Sequence, residues 1–455
     1  MDGATKVAWD EPYKMRFGRS KSLRLKNRVV RSSMGGRSAY YDGTVTNAWA
    51  NFERQMAETG VAAIISATVD VDDKRCSPLE YPKLSDDRFM EPLARGVRAV
   101  HEVFKKEEEK CRYIMQLGDP GGHTQTSLFP QPEDGKSASW GFDFYYGYRN
   151  FTSAMTCDEV RAEVRKFRTA ARRVKAIGCD GIEVTASKGY IIHQFLNPAS
   201  NRRNDAYGGD AKRRFELLRE VVTEIRDELG GDFLFGVRLS AKDFNYLPYW
   251  RFRFPPFRPW VGNGLEQNLE YGAQLKALGI DYLHIDSGFG FINPKGNPGT
   301  YPLEGLRLFT NSTKHLSAKA RIRAAAINLL PGWLLGLGWK YEEAPNAGFA
   351  AEFRRQVGLP VIANAGFQKK ETVERALSEG KCDLVAMARS LLANRDLLEH
   401  FRQGTAPEKP CSFCNECCAH TATLPLGCYD RGRFASQDEM EAEILRWSAD
   451  PTPIP

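Results

Sequence analysis

The chain predicts an α/β fold, a closed (β/α)8 TIM barrel with long loops after strands 5 and 6 and a Cys-rich C-terminal segment. Two observations carry that prediction. From Lys26 onward, short apolar runs without period-two alternation are separated by amphipathic helical stretches, and strands of that kind are covered on both faces of a parallel sheet. The runs number eight, and eight strand–helix units close on themselves. An open doubly wound sheet is the alternative, but nothing like G-x-G-x-x-G follows an early strand.

The strand candidates are 27–33, 61–67, 112–117, 181–184, 233–239, 282–285, 360–363 and 384–388. Trp49, Phe52 and Met56 form a short helical stripe between the first two. Val160, Val164, Phe167, Ala171 and Val174 step by four and three residues and share one helix face, with Thr156 and Glu159 at capping-box spacing before them. Phe215, Leu218, Val222, Ile225 and Leu229 repeat the stripe after the fourth strand. Two excursions follow strands and therefore sit on the catalytic face. The first, 245–260, is dense in aromatics, Arg and Pro. The second spans 287–341, with 316–328 reading as helical, and a loop of that length is a substrate cover or an oligomer or interdomain contact. The division expected is 1–405 for the barrel, with insertions at about 245–263 and 287–341, and 406–455 for the Cys-rich extension.

Among the 455 residues, 64 basic and 57 acidic side chains leave a net charge of +7. The basic residues are scattered, which suits anionic small molecules and argues against a nucleic-acid face. The N-terminus is polar and lacks the apolar core of a signal peptide. The longest apolar run, 324–339, is broken by Asn328, Pro331 and glycines, short of the roughly 20 residues of a membrane span. Of ten cysteines, Cys76, Cys111, Cys157, Cys179 and Cys382 are dispersed, and five crowd into 411–428. That is a metal-site distribution in a reducing, cytoplasmic setting, so the sequons at Asn150 and Asn311 read as chance matches.

The chemistry gathers at 179–209. The apolar run 181–184 reads as a buried strand, and Thr185, Ser187, Lys188 and Tyr190 stand just past it as hydrogen-bond donors. In a barrel, strand tips of this kind carry the reaction. The stretch IEVTASKGYIIHQFLNPASNRRNDAYGGDAKRRFELLREVV resembles the fourth-strand signature of the Old Yellow Enzyme family (NADH:flavin oxidoreductase), near the 2,4-dienoyl-CoA reductase and trimethylamine dehydrogenase branch. LKNRVVRSSMGG, DGTVT, IMQLGDPGG, GVRLS, GLPVIANAGF and CDLVAMARSLLANRDL match other strands of that family in order, over roughly 24–430.

The resemblance implies FMN as cofactor and NAD(P)H as reductant. By it, Gly366, Ala388 and Arg389 fall at the phosphate position, where Gly admits backbone N–H groups and Arg adds a forked charge. Arg238 is placed beside the ring edge that becomes anionic on reduction, and Gln116 offers a donor and an acceptor to the pyrimidine edge. Ser33, Met34 and Gly35 match first-strand flavin contacts, and Ala67 and Thr68 second-strand ones.

Departures from the family are equally informative. Thr185 and Lys188 stand where many members carry a His–His or His–Asn pair, and both still donate hydrogen bonds, or else neither touches substrate. Tyr190 matches a tyrosine that acts as proton donor, and the alternative is a buried aromatic with a satisfied hydroxyl. His193 reads as structural. The sixth-strand end, Ser287-Gly-Phe-Gly290, lacks the histidine of the dienoyl-CoA branch, which puts that substrate in doubt.

Cys411, Cys414, Cys417, Cys418 and Cys428 resemble the site of a 4Fe–4S cluster, with adjacent Cys417 and Cys418 competing for the third ligand position. Zn2+ would accept the same thiolates, and an empty site stays open. Three functions follow: an FMN-dependent reductase of an activated alkene driven by NAD(P)H, an iron–sulfur flavoprotein dehydrogenase or demethylase passing electrons to an external carrier, or a non-catalytic FMN binder. The partner expected is a small-molecule substrate, with no nucleic acid, no transmembrane segment, and homo-oligomerisation open.

Overall fold

The computed structural model describes residues 7–75, 81–123, 135–142, 151–244, 262–290, 293–315, 318–421 and 423–449. Eight strands form a closed barrel: β1 (Val29–Arg31), β2 (Ala63–Asp70), β3 (Arg112–Gly118), β4 (Gly181–Ala186), β5 (Leu234–Ser240), β6 (Tyr282–Asp286), β7 (Val361–Asn364) and β8 (Leu384–Met387). Each pairs in parallel with its sequence neighbours, and β8 returns to β1 through Val385↔Val29 and Ala386↔Val30. All eight expected strands are present.

Alternation along the strands divides the apolar side chains between two cores. Val30, Ile65, Ile114, Leu234, Tyr282, Ile362 and Leu384 point into the barrel, and the N-terminal hairpin (Tyr13–Phe17 with Lys21–Leu25) closes its floor with Met15 and Leu25. Their neighbours Val29, Ile64, Tyr113, Phe235, Leu283, Val361 and Val385 face outward against the helices. Gly236 makes the inner layer possible, because a Cβ there would lie 2.1 Å from the Tyr282 ring.

The helices that cover the strands are α1 (Asn47–Glu58), α2 (Met90–Glu102), α3 (Cys157–Ala176), α4 (Ala211–Leu229), α5 (Leu265–Ala277), α6 (Ala347–Val357), α7 (Lys370–Ser378) and α8 (Leu397–Gln403). The capping box expected from Thr156 and Glu159 opens α3, with Glu159 N–H donating to Thr156 Oγ1 and Thr156 N–H to the Glu159 carboxylate. The last helix, Gln437–Ser448, docks on α1. There Gln55 Nε2 donates to the carbonyls of Arg446, Trp447 and Ala449, and the Trp447 ring packs 5.4 Å from Phe52.

The aromatic excursion at 245–260 lies outside the described residues, apart from its flanks. The second excursion holds three helices, Leu303–Thr313, Ala318–Leu329 and Gly332–Leu335, the middle one at the helix expected for 316–328. It is stitched to the cysteine segment: Thr300 N–H donates to Phe413 O, Asn415 Nδ2 to Asn297 O and Thr300 O, and the Glu416 carboxylate accepts from Glu304 and Gly305 N–H at the first helix's N-terminus. Of the dispersed cysteines, Cys111, Cys179 and Cys382 are buried free thiols at strand starts, and Cys76 lies outside the described residues.

Candidate active site

The carboxyl ends of the strands open into one cavity. Twelve of the expected residues line it: Ser33, Met34, Gly35, Thr68, Gln116, Arg238, Gly366, Ala388 and Arg389 for the cofactor, with Thr185, Lys188 and Tyr190 for substrate. Ala67 does not. The β2–β3 register shifts between Ile65 and Thr68, which turns Thr68 inward and leaves Ala67 buried in the wall.

Beneath the cavity runs a chain of buried hydrogen bonds. Thr68 Oγ1 donates to Gln116 Oε1 at 2.6 Å, and Gln116 Nε2 to Glu183 Oε1 at 2.6 Å. Glu183 also meets Tyr282 Oη at 3.1 Å and His284 Nδ1 at 3.2 Å. His284 Nε2 contacts Asn364 Nδ2, whose side-chain oxygen accepts from Asn346, which in turn accepts from Ser287 Oγ. Fixing Thr68 and Gln116 from below holds their remaining edges toward the cavity.

Asp286, at the tip of β6, carries the site's electrostatics. Its Oδ2 accepts from Arg238 Nε at 3.0 Å and Nη2 at 2.6 Å, and its Oδ1 lies 3.1 Å from Lys188 Nζ. Burial alone would raise this carboxyl, but the charges of Lys188 and Arg238 outweigh it and hold it well below the ordinary range. Two of Arg238's five N–H donors go to Asp286, so its fork is anchored on one side.

The Lys188 ammonium is surrounded by acceptors of the protein itself. Besides Asp286, its ammonium donates to Ser287 O at 3.2 Å and Gly296 O at 3.0 Å, so three donors meet three acceptors. The residue sits in the left-handed region (φ 56°) and ties the fourth strand's tip to the second excursion. Burial pushes its amine below the ordinary lysine range, with Asp286 opposing. It lines the cavity while tied to these acceptors. Thr185 and Tyr190 stand on the same wall, with the Thr185 methyl and the Tyr190 ring closing on Gly118. His193 is structural as expected: its Nδ1 accepts from Gly189 N–H and its Nε2 donates to Asp243.

At the opposite end, Ala365 (φ 73°) and Gly366 (φ 71°) leave β7 in left-handed conformation beside Ala388 and Arg389. Strain of this kind in a non-glycine residue costs about 1–3 kcal/mol and gathers at ligand sites. A left-handed backbone bend lining the cavity, a nearby Arg and a second arginine at the inner end fit a flat ring system with an anionic tail. The residues present therefore suit FMN.

Arg389 also reaches the cysteines. It donates to Pro298 O at 2.8 Å and to Asn415 Oδ1, lies over the Phe413 ring at 4.9 Å, and lines both the cavity and a second hollow. That hollow is walled by Cys411, Cys414, Cys417 and Cys428. Cys418 is not part of it and faces the main cavity instead. Cys417, its neighbour on the helix Glu416–His420, lines both spaces. Burial pushes the thiols up, to about 11 at Cys411 and about 12 at Cys414, so a bound cation must displace their protons. Among the described residues, the trio of ligand atoms within 4.8 Å of one another is Asp72, Asp119 and Glu163, and no cysteine trio is so close. Arg75 Nη2 already fills that acidic trio, at 3.0, 2.7 and 2.6 Å.

Sequence reasoning missed Asp286, which becomes visible only when β5 and β6 are neighbours. It also missed Tyr81, whose hydroxyl occupies the space a Gly35 side chain would need, and Arg323 and Phe309 from the second excursion. His123, just past the third strand, also lines the cavity, and its strand-tip position was a usable signal.

A closed parallel barrel with its cavity at the strands' carboxyl ends is the scaffold of a cofactor-dependent barrel enzyme. The chain belongs to the NADH:flavin oxidoreductase / NADH oxidase family, whose profile matches residues 18–246, in keeping with its likeness to Old Yellow Enzyme. Over 427 residues it is 28% identical to a metal reductase of Desulforamulus reducens, covering 92% of this chain and 53% of that protein. It is 27% identical to a multifunctional alkene reductase/demethylase of Caballeronia cordobensis, covering 87% and 50%. The chain thus spans about half the length of these curated relatives. Its fold is similar to that of a 2-naphthoyl-CoA reductase solved with 2-naphthoyl-CoA, with a TM-score of 0.74, 18% identity and coverage of 97% and 58%. In this structure no helix is long and apolar enough to cross a membrane among the described residues.

Proposed function

We propose that the protein is an FMN-dependent oxidoreductase that uses NAD(P)H to reduce an activated alkene of enone or enoyl type. The observation that carries this reading is the meeting of the phosphate-side pair Gly366 and Arg389, the anchored Arg238 and the donors Thr185 and Tyr190 around one cavity. FMN held there supplies hydride chemistry between the nicotinamide and the alkene. Arg238, oriented by Asp286, stabilises negative charge at the inner edge of the site. Thr185 orients the substrate's activating oxygen, and the Tyr190 phenol delivers the proton that completes alkene reduction. Met34, Leu306 and Phe309 exclude water from the space between.

The four-cysteine hollow favours a second component, a 4Fe–4S cluster held by Cys411, Cys414, Cys417 and Cys428. A single tetrahedral Zn2+ with bonds of about 2.3 Å would draw sulfurs to about 3.8 Å apart. The lining thiolates suit either metal, and iron and sulfide assays separate the two. Because Arg389, Leu392 and Cys417 border both spaces, the dehydrogenase reading with an external electron carrier is the runner-up.

The test is anaerobic. Protein purified without air is loaded with FMN, reduced by NAD(P)H and mixed with an α,β-unsaturated ketone or thioester. Fast alkene-dependent reoxidation supports the reductase. Reoxidation that needs an added one-electron carrier supports the dehydrogenase. Failure to bind FMN or to reoxidise by either route refutes both.

A further inference from the structure

The excursion between β6 and α6 carries a surface that the flavin reading does not use. Between Glu304 and Glu342 the chain has no acidic residue and six basic ones, Arg307, Lys314, Lys319, Arg321, Arg323 and Lys340. The two flanking acids are engaged elsewhere, Glu304 with Arg431 and Glu342 with Lys295. Most of the exposed large hydrophobic side chains among the described residues fall in the same stretch. Ile322 is 70% exposed, Leu329 83%, Trp333 72% and Leu337 53%.

The helix Ala318–Leu329 is oriented opposite to an ordinary surface helix. It turns small Ala320 and Ala324 to the protein and presents Ile322, Ala325 and Leu329, three and four residues apart, to the outside. The period continues through Leu330, Trp333, Leu334 and Leu337. Lys314, Arg321 and Lys340 are exposed at its flanks. Exposed apolar area on this scale marks an interaction site.

We propose that this face docks on the surface of an anionic lipid bilayer. Leu, Ile and Trp side chains enter the headgroup boundary while the flanking cations meet anionic headgroups. Charge decides against a second copy of the chain as occupant. A two-fold contact sets each patch against itself, so Lys314, Arg321 and Lys340 would bring like charge together with no carboxylate between Glu304 and Glu342 to separate them. Leu306, Phe309 and Arg323 of the same excursion line the main cavity, so docking holds the cavity's rim beside the lipid. The inference is independent of which electron acceptor the enzyme uses.

Vesicle flotation of the full chain tests it. The protein is expected to float with vesicles of phosphatidylcholine mixed with phosphatidylglycerol, to stay behind with phosphatidylcholine alone, and to lose binding as salt rises. The triple variant Lys314→Gln, Arg321→Gln, Lys340→Gln should partition on the order of a hundredfold less. Leu329→Gln with Trp333→Gln should abolish flotation while melting with the wild type, since both side chains are exposed. No flotation with the mixed vesicles, or equal flotation of both variants, overturns the proposal. So does a lipid-free dimer that Leu329→Gln with Trp333→Gln dissociates, which assigns the face to a second copy.

Discussion

Replacing Asp286 with asparagine tests the electrostatic arrangement directly. The carboxylate is 1% exposed and serves two buried cations, Arg238 through Oδ2 and Lys188 through Oδ1. Removing one partner of a buried ion pair costs about 3–5 kcal/mol, because the charge left behind stays desolvated. Unfolding entropy of about 2.1 cal/mol/K per residue turns that into a fall of roughly 3–5 °C in Tm for 455 residues.

The pH dependence has a defined sign. The folded pKa of Asp286 lies below its unfolded value, so its stabilisation is complete above the ordinary carboxylate range near about 4 and is lost only as pH falls toward the depressed value. The Tm gap should therefore be flat from about pH 5 through neutrality. It should narrow at alkaline pH, where Lys188, whose folded pKa is already lowered, gives up its proton and one unpaired cation disappears. Calorimetric melts of both proteins across that range read the gap. A variant melting within about a degree of wild type at neutral pH would falsify the shared-carboxylate account.

Three further outcomes follow from the site. Arg238→Met should weaken FMN binding about tenfold to a hundredfold, the size of one charged hydrogen-bonding partner, as read by fluorescence titration of the apoprotein. Tyr190→Phe should slow alkene-dependent reoxidation about a hundredfold or more while leaving NAD(P)H-dependent reduction intact, and stopped-flow absorbance separates the two half-reactions; equal rates would remove Tyr190 from the proton-donor role. Cys417→Ala should strip iron and sulfide from anaerobically purified protein, whereas Cys418→Ala should leave both unchanged, and the opposite result would exchange the two thiols.

The barrel was legible because its strands are covered on both faces, so runs such as Leu384 to Met387 stay apolar without alternating. The expected flavin-side residues came from the family resemblance, and the structure brings all but Ala67 to one cavity because they lie in or just past the carboxyl halves of the strands. Asp286 was not legible, since its two cations come from loops and strands nearly fifty and a hundred residues away, and only β5–β6 adjacency joins them. The tie from Lys188 to the second excursion was not legible, because two of the acceptors of its ammonium are backbone carbonyls, which leave no mark in composition. That Cys417 and not Cys418 lines the cysteine hollow was not legible, because it depends on the turn of one short helix, begun at Asn415 in left-handed conformation (φ 64°).

The interlocked polar floor has an evolutionary corollary. Gln116, Glu183, Tyr282, His284 and Asn364 each spend hydrogen-bonding capacity on another member, so a lone replacement strands a desolvated neighbour. Drift at these positions should come as linked exchanges: a family that trades His284 for an apolar residue should also have neutralised Glu183. The floor would thus be inherited as a haplotype of side chains, while the mouth above it remains free to diversify.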